Sequence, residues 1–320
     1  MRYGLPYMGS KNAIVPYLIK SIPSADNFYD LFAGGCAVTH GMLLQNKFKN
    51  YIINDLNAGI TQLFLDAING KYKNEKRWIS REDFRRLKDE EPYVAYVWSF
   101  GNNPDKKYLY GAHIEPWKKA LWYSRKLNDP SLFQEMGIIT DGSRSDIKKH
   151  KEEYKQKYIK WYLKKHNPTD KQLQSLQSLE SLERLERLQS LQSLESLESL
   201  ERFNVSYEQV PIKPNSVLYC DIPYENTAKY VVGDFDHKKF YDWACNQTEL
   251  VIISSYEISD DRFMEIDYIK KRSLLGSASQ EESSSKNEKL FIPKHQKELY
   301  EKMMNRKIIE QEHYEQLSLL

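Results

Sequence analysis

Between Asn27 and Ile68 the chain reads strand, glycine turn, helix, strand, helix, and few folds accommodate that order. The run NFYDLFAGGCAVTHGMLL gives a short apolar strand over Phe28–Phe32, then Gly34-Gly35, then a helical pattern over Ala37–Leu44. YIIND, Tyr51–Asp55, reads as a second strand closing on an acid. Asn57 is placed to cap the helix AGITQLFLDAI, whose Ile60, Leu63, Phe64, Ala67 and Ile68 share one face. This order opens a Rossmann-like α/β sheet.

The pattern breaks after Gly70 and returns later in the chain. NSVLYCDIPY (Asn215–Tyr224) reads as a buried strand ending in a polar turn. FDHKKFYDWACN follows as a helix, ELVIISSYE as another buried strand, and KNEKLFIPK as a late one. One α/β domain is therefore expected to be split by a long insertion. Within the insertion, Arg144–His166 holds nine Lys/Arg against three Asp/Glu, with Tyr154, Tyr158, Trp161 and Tyr162 interleaved. A solvated helix explains such a stretch, and so does a helix that meets a phosphate backbone.

The segment Leu173–Arg202 is ten triplets of Leu, then Gln or Glu, then Ser or Arg. Propensity favours helix. Leucine at every third position, however, drifts by roughly 60° per triplet and leaves no single dry face. A short-period solenoid or a linker is the alternative. A spacer whose length changes by whole triplets would suit a recognition region.

Composition narrows the classes. The chain has 320 residues and no stretch of about 18 apolar ones, so a membrane-spanning protein is not expected. The N-terminus MRYGLPYMGSKNAI has no charged start followed by an apolar run, so no secretory leader is expected. Cys36, Cys220 and Cys245 are too far apart for a zinc site or a disulfide framework, which points to a reducing cytoplasm. No metal is expected. The net charge is only +2, so a nucleic-acid partner would need a local basic patch.

Three strand ends carry the chemistry. Asp30-Leu31-Phe32-Ala33-Gly34-Gly35 lets backbone approach a ligand, although a tight strand-to-helix turn needs the same glycines. Asn54-Asp55 puts a carboxylate where dinucleotide folds bind ribose hydroxyls, although it also makes an ordinary turn. Asp221-Ile222-Pro223-Tyr224 closes a third strand.

Together these motifs resemble the Dam-like, alpha-class DNA adenine-N6 methyltransferases. Tyr7-Met8-Gly9-Ser10-Lys11 is similar to the family's N-terminal motif, and Asp30 to Gly35 to its glycine motif for S-adenosyl-L-methionine (AdoMet). Asn54-Asp55 resembles its second motif, and Asp221 to Tyr224 its Asp-Pro-Pro-Tyr, with Ile222 in place of proline. The resemblance implies a Rossmann-like AdoMet-dependent methyltransferase sheet with an inserted, mostly helical target-recognition region. It divides the chain into an AdoMet-binding part (1–72), the insertion (73–203), a catalytic part (204–293) and a helical tail (294–320).

The resemblance implies transfer of a methyl group from AdoMet to adenine N6 in double-stranded DNA, by base flipping and direct in-line attack. Asp221 and the Ile222 carbonyl would accept the two N6 hydrogens, Pro223 would fix the backbone, and Tyr224 would stack on the flipped base. Tyr7, Lys11, Asp30, Phe32, Gly34, Gly35, Asp55 and Asp221 would contact AdoMet. A cognate restriction endonuclease is a partner this reading allows. RNA or protein-amide methylation, or a DNA-binding relative without catalysis, are the competing readings.

Overall fold

The computed structural model describes residues 3–5, 9–102, 107–166, 188, 191, 199–225, 235–269 and 288–305. These form two compact units, one from those of 1–5, 9–65 and 194–320 and the other from those of 66–193.

The first unit is built on a seven-stranded sheet in the order β3-β2-β1-β4-β5-β7-β6. Its strands are β1 (Asn27–Asp30), β2 (Asn50–Asn54), β3 (Leu200–Phe203), β4 (Ser216–Cys220), β5 (Leu250–Ser255), β6 (Phe263–Ile269) and β7 (Glu288–Pro293). The first five pair in parallel, while β7 runs antiparallel to both β5 and β6. Because β1 pairs with both β2 and β4, the strand order reverses beside it, and the crevice beyond the carboxyl ends of β1 and β4 is the place for a ligand. Helices α1 (Val15–Ser21) and α2 (Ala37–Leu44) belong to this unit, and α3 (Ala58–Ile68) begins in it. β4 and β5 are buried at every position, as expected of parallel strands covered on both faces.

One expectation is corrected here. The last triplet of the repeat, Leu200-Glu201-Arg202, is strand and not helix, paired with β2 from Tyr51↔Leu200 onward. Pairing with an existing strand outweighs a small helix propensity, and the exposed Glu201 and Arg202 suit a sheet edge. Leu188 and Leu191, a triplet apart, are fully buried; most of the repeat lies outside the described residues.

The second unit is helical: α4 (Arg81–Leu87), α5 (Glu115–Trp122), α6 (Ser131–Glu135), α7 (Arg144–Lys149) and α8 (Lys151–Leu163). Ser80 and Ser143 cap α4 and α7 by accepting the Asp83 and Asp146 N–H. Trp98 and Trp122 are buried, and Trp78 packs edge-on to both. On α8, Tyr154, Tyr158 and Tyr162 are buried at helical spacing, so these tyrosines of the basic stretch serve the core. Lys151, Lys160, Lys164 and Lys165 remain exposed. Among the described residues no helix is long and apolar enough to cross a membrane.

Candidate active site

The three strand ends singled out in the sequence lie side by side at the carboxyl edge of the sheet, following β1, β2 and β4 in their paired order. The glycine turn is locked by Asp55. Its Oδ2 accepts the Gly34 N–H at 2.8 Å and its Oδ1 the Asn57 N–H at 2.8 Å. Gly34 has φ +47°, a conformation that an L side chain resists. Burial pushes the Asp55 carboxyl up, against these two backbone donors. Asn54 joins its neighbours through its side chain, donating to the Leu31 carbonyl at 3.1 Å and accepting the Val205 N–H at 3.1 Å.

Asp30 is buried, and its Oδ2 accepts from the Thr39 hydroxyl at 2.6 Å. Burial raises its carboxyl to about 7, offset in part by Thr39. Its contacts therefore run to α2. Phe32 packs among Tyr207, Phe235 and Phe240, with ring centroids 5.6–5.8 Å apart. Tyr7 lies outside the described residues.

The segment before the first motif also reaches this turn, which the sequence reading missed. Gly4 has φ +59°, and a Cβ there would sit 2.5 Å from the Gly35 carbonyl oxygen and from the Ala37 backbone. The next residue donates its N–H, Leu5 to Gly35, at 2.7 Å. Gly4→Ala is expected to cost roughly 3 kcal/mol through the clash and the left-handed backbone together. Thermal melts should show a drop of about 6–12 °C; an unchanged melt would mean this segment does not brace the turn.

Beyond β4, Lys11 sits between two carboxylates, 2.8 Å from Asp221 Oδ1 and 3.2 Å from Glu288 Oε1. Lys11 also donates to the Tyr224 hydroxyl, and its ammonium lies 4.7 Å from that ring's centroid. Tyr224 in turn donates to Glu288 Oε1 at 2.6 Å, and the Ser254 hydroxyl to the same oxygen at 2.7 Å. Burial works against the Lys11 ammonium, yet Asp221, Tyr219 and Glu288 hold its pKa well above the ordinary lysine value. Burial raises the Asp221 carboxyl to about 6 in spite of Lys11. Tyr256 packs on Tyr224, with ring centroids 4.3 Å apart.

Ile222 is buried in the apolar cluster with Tyr29, Leu31, Phe240 and Tyr241. An aliphatic side chain there is core packing, so its difference from proline has a physical reason. His237 Nε2 lies 2.7 Å from the Pro223 carbonyl and holds the turn from the far side. Glu288, Ser254, Tyr256 and His237 had no sequence signal: β5 and β7 bring in the first three, and the helix that His237 opens brings in the fourth.

A largely parallel sheet with its crevice at the β1/β4 switch, and Lys11, Asp55 and Asp221 to Tyr224 around that edge, is the setting in which open α/β sheets bind ligands. The family model for the D12 class N6 adenine-specific DNA methyltransferases matches residues 7–244. The chain belongs to that family. It is an AdoMet-dependent, adenine-specific DNA methyltransferase, and its substrate is DNA. The site suits AdoMet on its own chemistry: among the described residues, Asp55, Asp221 and Glu288 outnumber Lys11 and leave an excess of negative charge for a ligand carrying a sulfonium and an ammonium. Among the described residues no group of His, Cys, Asp or Glu is arranged to hold a metal ion.

Proposed function

We propose that the residues around Asp221 carry the methyl transfer to adenine N6 in duplex DNA, with the target base flipped out of the stack. The observation that carries this reading is the Lys11–Asp221–Tyr224 contact set at the end of β4. Lys11 engages Asp221 Oδ1, which supports the other carboxylate oxygen as the acceptor of one N6 hydrogen. The Ile222 carbonyl accepts the second. Drawing both hydrogens into acceptors returns the amine lone pair from the ring toward sp³. Bound AdoMet supplies an electrophilic methyl group. With its pKa near 6, Asp221 also suits the proton that the methylated amine must shed. Tyr224, held at its hydroxyl, offers its ring face to the flipped base.

For the cofactor, Asp55 takes the ribose hydroxyls, and Gly34 and Gly35 lie against the methionine part. Asp30 acts through Thr39 by fixing the start of α2. Tyr7 and Phe32 complete the cofactor set. The exposed lysines of α8 supply phosphate contacts to the duplex. Site-specific methylation is the protective half of restriction–modification, which supports a cognate endonuclease as partner. The free thiols Cys36, Cys220 and Cys245 support a cytoplasmic enzyme.

The test combines label transfer with cofactor titration. Tritium from methyl-labelled AdoMet is expected in adenine of duplex DNA, and Asp55→Ala is expected to raise the AdoMet Kd by about tenfold, a lost charged hydrogen-bond acceptor. DNA affinity should stay near its original value. Label confined to RNA or protein, or an unchanged AdoMet Kd, would remove this assignment.

A further inference from the structure

Glu288 opens β7, a strand that no cofactor or catalytic motif touches, yet its carboxylate ends in the active site. Its side chain is only 3% exposed, and one oxygen meets Lys11, the Tyr224 hydroxyl and the Ser254 hydroxyl. For stability alone such a group is a poor choice, because a buried carboxylate is desolvated and an apolar side chain of similar volume is often better. Its placement therefore needs another reason.

The reason lies in how one ammonium is divided. If Lys11 faced Asp221 alone, the pair would be closed and neutral, and Asp221 would be a weak acceptor for an amine hydrogen. Glu288 competes for the same Nζ at 3.2 Å against 2.8 Å, and it takes the Tyr224 hydroxyl as well. We propose that Glu288 is a positioning residue for methyl transfer, which shares Lys11 with Asp221 and anchors Tyr224, so that the Asp221 carboxylate keeps its strength toward the target amine. This rests on the reading of Asp221 as the N6 acceptor.

The groups facing Asp221 come from several elements. They are Lys11 from the N-terminal turn, Glu288 from β7, Asp55 after β2, Asp30 at the end of β1, Tyr219 and Cys220 on β4, and Tyr224 in its own turn. Lys11 favours the carboxylate form, while Glu288 and Asp55 oppose it. Removing the charge of Glu288 thus makes Asp221 easier to ionise and a weaker base.

Glu288→Gln keeps the side-chain shape and a carbonyl oxygen for Tyr224 and Ser254 but removes the charge. In single-turnover assays with DNA and AdoMet saturating, the plateau rate is expected to fall by about threefold, in step with a half-unit loss of basicity. The acid limb of the pH profile is expected to move down by about half a unit or more, as when a like charge is withdrawn from a carboxylate. A limb that stays in place, with or without a loss of rate, overturns the proposal, since a purely structural residue would not move it. Should Glu288→Gln fail to fold, Glu288→Asp, which withdraws the charge from Lys11 by one methylene, gives the same comparison. A smaller downward shift supports the proposal and an unmoved limb overturns it. Failure of the underlying reading shows separately, as normal turnover in Asp221→Ala.

Discussion

Asp221→Ala is expected to slow single-turnover methyl transfer by at least about 100-fold, the scale of one lost hydrogen bond to a charge that develops in the transition state. The folded state should survive, because Lys11 keeps Glu288 3.2 Å away as a counterion. The pH dependence sharpens the test. Burial raises the folded carboxyl from the ordinary value of 3.8 to about 6. A raised acid pKa means that the folded state holds its proton more tightly than the unfolded one. Through this group, stability is therefore highest at low pH and declines as pH rises from about 4 to about 6. Activity runs the opposite way, since only the carboxylate accepts a hydrogen. Below about 6 the rate of the unaltered enzyme should fall tenfold per pH unit. Near-normal turnover in the variant, or an acid limb near 4 in the unaltered enzyme, would take Asp221 out of the reaction.

The parts of this site that could be read in the chain are those with local cause. β1, β2, β4 and β5 are short apolar runs bounded by glycine, proline or acidic residues, and a buried parallel strand has little choice about either feature. Their carboxyl ends then had to be neighbours, which made Asp30 to Gly35, Asp55 and Asp221 to Tyr224 legible as one edge. β6, with FMEIDYI, mixes polar and apolar residues and pairs only with β7. Nothing local separates it from a loop. β3 was hidden by helix-tolerant residues whose strand form exists only because β2 offers an edge. Glu288 and Ser254 reach Tyr224 through the sheet order β4-β5-β7, a long-range fact with no trace in spacing. Gly4 is similar: only the approach of the Gly35 backbone makes a side chain there impossible.

Lys11→Met should produce the larger effect on the protein itself. Methionine keeps the unbranched stem and its packing while removing the ammonium. Two carboxylates, with side-chain exposures of 21% for Asp221 and 3% for Glu288, then face each other without their shared counterion. Breaking a buried ion pair from one side costs on the order of 3–5 kcal/mol. For a chain of this size that corresponds to a melting point lower by roughly 10 °C. The loss must depend on pH. Without Lys11, the opposition from Glu288 and Asp55 raises the Asp221 carboxyl further above its unfolded value. The penalty is then present in full above the folded pKa and is relieved as pH falls and the carboxyl takes up a proton. Melts at pH 8 should therefore separate variant and unaltered enzyme by several degrees more than melts at pH 5.5. AdoMet, which brings positive charge into the same pocket, should recover part of the difference. Methyl transfer should fall with it, because Tyr224 loses the Lys11 donor at its hydroxyl and Asp221 is protonated over more of the neutral range. A deficit of equal size at both pH values would identify lost packing as the cause and would end the role of Lys11 as the shared counterion.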